Sequence, residues 1–278
     1  MLEQTFCHIP GLGPVTEKRL WQAGIGCWDD WRDPPPVAMK TACRWEIPAI
    51  LASSRQALNT DPGFFTARLS AGEHWRIFPH FRHQSAYLDI ETTGLADDAE
   101  VTTIAAYDGR EVATFVNGRN LEDFPDFIER FQVLITYNGR SFDIPFLERF
   151  FRIRLRQAQI DLRFVLARLG LKGGLKGCEQ RLGMNRGSLD GVDGYFAVLL
   201  WREFQETGDK RALETLLAYN IEDTVNLERL AVEAYNRNVA ATPFAPELQL
   251  QFPEPPPLPC SPDPACIERI RRRHQLGW

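Results

Sequence analysis

The 278-residue chain has no long apolar run. Its longest, at 195–201, is seven residues, against the roughly 20 that a membrane-spanning helix needs. The N-terminus carries Glu3, His8 and Pro10 in place of a basic segment followed by an apolar one, so no secretory signal is expected. Cysteine is sparse: six, at positions 7, 27, 43, 178, 260 and 266, with no Cys-x-x-Cys pair and no histidine cluster beside them. A disulfide-built scaffold is excluded, and free thiols in a reducing, cytoplasmic compartment are the expectation. Metal binding by Cys260 and Cys266 is the alternative for that pair. Lysine is also scarce, 5 against 27 arginines. Arginine suits planar phosphate recognition, although a codon bias gives the same count. No repeat of 20–50 residues is present. With 44% hydrophobic and 25% charged residues the composition is that of a folded globular chain.

The net charge of −5 argues at first against a nucleic-acid partner. Its distribution is more informative. Residues 1–83 carry +1, residues 84–240 carry −6 and residues 241–278 are neutral. Three zones follow the same boundaries. Residues 1–83 are rich in Trp and Pro and read as short helices, broken at Pro34, Pro35 and Pro36. Residues 84–240 begin with strand-like runs at 87–90, 101–107, 111–116 and 133–137, with a helix at 124–131. They continue with helical periodicity at 146–151, 162–169, 175–182, 195–204 and 213–235. Strands that give way to helices predict an α/β layered fold. Residues 241–278 hold nine prolines between 243 and 264 and end in a basic run from Arg269 to His274. They read as an extended surface segment with a basic tail.

Three strings carry chemistry. In Tyr87-Leu88-Asp89-Ile90-Glu91-Thr92, strand periodicity puts Asp89 and Glu91 on one face. Two carboxylates there repel unless a cation lies between them; a solvent-facing acidic edge is the plainer reading of this string alone. In Asn138-Gly139-Arg140-Ser141-Phe142-Asp143, a turn follows a strand and Asp143 stands where a helix begins, as an N-cap, a metal ligand or both. In Tyr219-Asn220-Ile221-Glu222-Asp223, helical spacing puts Tyr219 and Asp223 on one face, with Glu222 off it and solvated.

These strings match, in order, the Asp-x-Glu, Asn-x-x-x-(Phe/Tyr)-Asp and Tyr-x-x-x-Asp motifs of the DEDD exonucleases. The chain therefore resembles that superfamily, and over 84–240 its YprB-type predicted exonuclease subgroup. The resemblance implies a ribonuclease H-like mixed sheet flanked by helices, preceded here by a small helical region. Ala218 occupies the position where the histidine branch has His, so Tyr219 makes this similar to the tyrosine (DEDDy) branch. The implied activity is metal-dependent 3′–5′ hydrolysis of single-stranded DNA or RNA ends with two Mg²⁺ or Mn²⁺ ions. By resemblance Asp89 bridges both ions, Glu91 and Asp223 hold one, Asp143 supports the other, and Tyr219 orients the attacking water. An oxygen-rich site is consistent with those hard cations. Thr92 and Asn138 are candidates to contact the terminal nucleotide. Asp161 reads as an N-cap, and Lys176 as solvated or as a phosphate contact.

Further nucleic-acid contacts are expected at two places. Ile9-Pro10-Gly11-Leu12-Gly13, within 6–26, resembles a helix-hairpin-helix motif. Gly11 and Gly13 would let backbone amides approach phosphates, and Lys18 adds charge; an αα-hairpin packed on the main domain is the alternative. Arg152, Arg154 and Arg156 share a face if extended and can track a backbone, or form a solvated surface. Two other functions compete with the exonuclease: a nucleic-acid-binding protein with a vestigial nuclease domain, and a ribonuclease H-like endonuclease.

Overall fold

A computed structural model of the chain describes residues 1–39, 44–96 and 98–274. Among them, five strands form one sheet: β1 (Ser85–Thr92), β2 (Val101–Tyr107), β3 (Val112–Val116), β4 (Val133–Thr136) and β5 (Ala158–Asp161). Their spatial order is β3-β2-β1-β4-β5. The β1–β2 and β2–β3 pairs are antiparallel, whereas β1–β4 and β4–β5 are parallel. The sheet is therefore mixed, and its central strands are covered on both faces. Such strands read as near-continuous apolar runs. β2 is buried throughout, and along β1 the one half-buried position is Asp89.

The longer helices are α1 (Pro14–Gln22), α2 (Ile47–Ala57), α3 (Asp143–Phe151), α4 (Leu162–Arg168), α5 (Gly174–Arg181), α6 (Gly194–Thr207), α7 (Lys210–Val239) and α8 (Pro264–His274). Carboxylates start three of them. Asp161, Asp193 and Asp209 each accept a backbone N–H in the first turn of α4, α6 and α7, satisfying donors that a helix end otherwise leaves unpaired. α7 lies against β1 and β2 and beside α6. Its Leu227, Leu230, Ala231 and Tyr235 join one apolar cluster with Tyr87 and Tyr107 of the sheet and with Phe6, Ile9, Leu20 and Trp28. The N-terminal helices thus share a core with the sheet. Across the sheet, Leu88, Ile90, Ile104 and Leu134 pack with Phe124, Ile144 and Leu147. None of the described helices is long and apolar enough to cross a membrane.

Several elements differ from the sequence expectation. β5 is a strand that periodicity did not single out: four residues, Ala-Gln-Ile-Asp, are too short to separate from a helix or loop. The helix expected at 124–131 stops at Ile128. The C-terminal basic run is not an extended tail. It forms α8, whose Cys266, Ile267 and Ile270 are buried in a cluster with Phe196, Leu200 and Leu216. Arg269 and Arg273 are ion-paired to Glu203, and Arg269 also to Asp209 at 2.6 Å. The Gly11 hairpin precedes α1, but on its other side stands only a three-residue 3-10 turn, Leu2–Gln4. Cys7, Cys27, Cys178, Cys260 and Cys266 are free thiols, and Cys43 lies outside the described residues. Among the described residues, Cys260 and Cys266 belong to no cluster of three metal-ligating groups.

A buried charge network fastens α1 to the rest of the molecule. Glu17, fully buried, accepts from Thr5 Oγ1 and Phe6 N at 2.7 Å each and pairs with Arg76 at 2.8 Å. Arg76 pairs also with Glu73 at 2.7 Å, and Glu73 is ion-paired to Arg168 of α4. Removing one partner from such a network strands an uncompensated charge. Arg76→Met is expected to lower unfolding free energy by about 3–5 kcal/mol, read by urea denaturation. A variant as stable as wild type would contradict that role.

Candidate active site

β1, β4 and β5 run parallel, and the candidate acids gather at their C-terminal ends. Asp89 and Glu91 project from one face of β1, opposite Ala105 and Thr103 of β2. The register shifts between Glu91 and Thr92, a bulge of the kind that re-aims side chains at strand ends. α7 crosses this end and presents Tyr219, Asn220 and Asp223, which helical geometry places within one turn. The result is a cluster in which carboxylate oxygens of Asp89, Glu91 and Asp223 all lie within 4.8 Å of one another. Glu91, Asp223 and Tyr219 are buried and Asp89 is half-buried.

Asn220, which sequence reasoning passed over, fixes the first of these acids. Its Nδ2 donates to Asp89 Oδ2 at 2.7 Å and to the Asp89 carbonyl at 3.2 Å, while its Oδ1 accepts from Thr103 Oγ1 at 3.0 Å. Asp223 is fixed by Arg186, which was likewise missed. Arg186 is ion-paired through Nη2 to Asp223 and through Nε to Glu179 at 2.6 Å. Glu179 also accepts from Asn226 Nδ2 at 2.8 Å. All three polar partners are buried or half-buried. The available signal was a buried Asn on an otherwise apolar helix face. For Arg186, in a loop, no local signal exists.

Asp143 is the first residue of α3, and Phe142 takes the N-cap position with no side-chain cap, so capping is not its role. It is buried and stands outside the cluster of three, yet close enough to raise Asp89. Burial, then repulsion from neighbouring acids, lifts Asp89 and Glu91 well above the carboxylate range, Asp223 being the leading neighbour for both. Burial lifts Asp143 to about 7, against the pull of the backbone amides of Asp143 and Ile90. Asp223 is raised by burial and drawn back by Arg186. Burial, followed by repulsion from Asp223, raises the Tyr219 phenol, so it keeps its proton at neutral pH. Glu222, expected in solvent, is half-buried, and burial pushes it up to about 7.

Lys176 is not a solvated side chain. It is half-buried, donates to the Val192 carbonyl and holds its Nζ 4.8 Å from the centre of the Tyr219 ring. A hollow of about 360 Å³ lies over the acids, lined by Asp89, Glu91, Tyr219, Asp223, Tyr137 and Lys176 among others.

The remaining candidates divide. Thr92 is buried and its hydroxyl donates to the Gly94 carbonyl at 2.8 Å. Asn138 follows β4 with φ of 67°, a left-handed conformation uncommon outside glycine. Its amide donates to Asp161 at 2.8 Å. Asp161 caps α4 and also gathers amides from the Asn138 turn. Arg152, Arg154 and Arg156 are exposed but sit elsewhere. Arg156 is two residues before Ala158, which pairs with Val133, which pairs with Ser85. That is the strand end opposite the acids, roughly 13 Å along the sheet from Asp89 at about 3.3 Å per residue. Arg154 there is ion-paired to Glu148 at 3.6 Å. Gly11, Gly13 and Lys18 are exposed on the N-terminal hairpin.

Comparison with known proteins adds three findings. Residues 86–235 match the sequence profile of the RNase H superfamily. No curated protein matches the chain. Among solved structures, the chain is similar to a family B DNA polymerase from the hyperthermophilic archaeon Pyrobaculum calidifontis. That alignment has 20% identity and a TM-score of 0.43, covering 56% of this chain and 24% of the polymerase chain.

Proposed function

This chain belongs to the RNase H superfamily, and from that premise we propose that its acidic centre is the active site of a metal-dependent 3′–5′ exonuclease of the DEDDy type, acting on single-stranded DNA or RNA ends. The observation that carries the reading is the set of three carboxylates within 4.8 Å of one another, backed by Tyr219 one helical turn from Asp223. The donor set fits a hard divalent cation: the cluster offers only carboxylate oxygens, with no His or Cys, which favours Mg²⁺ or Mn²⁺. Asp89, Glu91 and Asp223 would hold one ion, and Asp143 would support a second beside Asp89. Such ions neutralise charge on a phosphodiester and sharpen water as a nucleophile.

The protein's own groups do the rest. Asn220 holds the Asp89 carboxylate in one orientation, and Arg186 does the same for Asp223. Tyr219, its phenol raised by burial and by the neighbouring acids, would orient water or a phosphate oxygen by donating a hydrogen bond. Lys176 sets a positive charge on the wall of the hollow, where developing negative charge is stabilised. The 3′–5′ polarity rests on the motif resemblance. It is tested with a 5′-labelled single strand and Mn²⁺: the reading expects a one-nucleotide ladder that a blocked 3′ end prevents. Internal cuts in the blocked strand would instead favour the endonuclease.

The raised carboxylates give a pH signature. A carboxyl raised on folding contributes stability at low pH and loses it as pH rises through its folded value. For Asp143 that window runs from the ordinary 3.8 to about 7. A bound cation removes this loss and adds binding stabilisation, about 2.7 kcal/mol at a hundredfold excess over Kd. The gap in Tm with and without Mn²⁺ is therefore expected to widen from about pH 5 to pH 8. Differential scanning fluorimetry reads it directly, and a gap that does not change with pH would contradict the assignment.

A further inference from the structure

A second cavity, of about 700 Å³, adjoins the hollow over the acids and shares Tyr137, Gly173 and Gly174 with it. Its charged lining is Arg163 and Lys172, both exposed, with no acid among its lining residues. It lies at the C-terminal ends of β4 and β5, the sheet end where parallel strands present ligand sites. We propose that this groove binds the phosphodiester backbone of the single strand upstream of the nucleotide being removed. The inference rests on the nuclease reading and specifies where the rest of its substrate lies.

The groove wall is built. Asp161, 1% exposed, accepts the backbone N–H groups of Asn138 at 2.8 Å, Arg163 at 3.0 Å and Arg140 at 3.2 Å. One buried carboxylate thus pins the turn after β4 to the junction of β5 and α4. Arg163 Nη1 in the first turn of α4 donates to Asn138 Oδ1 at 2.5 Å, tying the side chains of the two segments as well. Asn138 sits there in the left-handed region, a conformation that the surrounding hydrogen bonds fix. Beside Arg163 the ring of Phe164 is 39% exposed, with the Arg140 guanidinium 6.0 Å from its centre. Phe164 and Arg140 stand outside the groove's lining; within it Arg163 and Lys172 supply the charge that the phosphates of a sequence-tolerant single strand require. By contrast, Arg154 and Arg156 line a separate cavity together with Asp61 and Glu129, at the far end of the strands. The volume also suits a small ligand, which the test must separate from a strand.

The probe is a fluorescein-labelled oligothymidylate of about twelve nucleotides, within the span of known single-strand sites. Its anisotropy is titrated with the full chain in EDTA across a salt series. Arg163→Glu/Lys172→Glu is expected to bind at least about tenfold more weakly, with a log–log salt slope shallower by about 1.4, near 0.7 per lost phosphate contact. Because Arg163 also holds Asn138 Oδ1, Arg163→Gln/Lys172→Gln, which keeps an amide donor without the charge, is expected to lose binding likewise at an unchanged Tm. Arg154→Glu/Arg156→Glu is expected to bind as wild type. The proposal is overturned if either variant of Arg163 and Lys172 binds as wild type, if Arg154→Glu/Arg156→Glu carries the loss, or if thymidine monophosphate binds as tightly as the strand. Charge-dependent strand binding by a wild-type protein that hydrolyses nothing with any divalent ion would uphold the groove and refute the nuclease. Hydrolysis at equal KM by wild type and Arg163→Glu/Lys172→Glu would refute the groove and leave the nuclease standing.

Discussion

Asp89→Asn is expected to lose metal-dependent hydrolysis by at least a thousandfold in kcat/KM, about 4 kcal/mol of transition-state stabilisation. The substitution is close to isosteric and keeps an oxygen that can accept from Asn220 Nδ2, the contact now made at 2.7 Å. It removes the charge and little else. Asp89 is one of three carboxylates packed within 4.8 Å, and both Asp223 and Glu91 repel its charged form. The metal-free variant should therefore be at least as stable as wild type, because the neighbouring acids already disfavour the charged form of Asp89. Its Mn²⁺ binding, read by calorimetry, should weaken sharply. Activity and metal affinity fall while stability holds or rises. A misfolded variant would lose all three, so the combination separates a catalytic ligand from a structural one.

Arg186→Met is expected to show the opposite balance. Arg186 is ion-paired to both Asp223 and Glu179, and its side chain is 6% exposed. Methionine fills much of the volume but strands two buried carboxylates, a loss of about 3–5 kcal/mol of unfolding free energy by precedent for broken buried pairs. Adding Glu179→Gln should recover part of that loss, since it removes one stranded charge while leaving an acceptor for Asn226 Nδ2. Saturating Mn²⁺ should recover more, because the cation replaces the guanidinium as counter-charge for Asp223. Urea denaturation of the single and double variants, with and without Mn²⁺, checks each step. A single variant with wild-type stability would show that the Arg186 pairs contribute nothing net.

Much of the fold was legible because its signals are local. The apolar run of β1 and β2, the helical spacing around Tyr219 and Asp223, and the Asn138 turn each follow from a few neighbouring residues. The α/β fold with a mixed sheet flanked by helices is what the structure shows. What escaped depends on contacts between distant segments. Asn220 reaches back 131 residues to Asp89, and Arg186 reaches 37 residues to Asp223; neither spacing leaves a trace in a window of ten. The arginines at 152, 154 and 156 have the right chemistry for phosphate but lie at the other strand end, a fact fixed only by β5 pairing with β4. Without β5, nothing in the sequence says at which strand end those arginines stand. The C-terminal helix is a different case: its apolar stripe at Cys266, Ile267 and Ile270 was present, but the density of arginine and proline around it suggested a tail.

Hydrolysis of phosphodiesters by the clustered carboxylates with a divalent ion is open to a simple experiment. Its most direct test is digestion of 5′-labelled single-stranded DNA and RNA of one sequence, in Mg²⁺, Mn²⁺ and EDTA, with Asp89→Asn alongside. A ladder of shortened products is expected for at least one of the two polymers, only with an added ion and only from the wild-type chain. Equal cleavage by Asp89→Asn, or cleavage that survives EDTA, would contradict it.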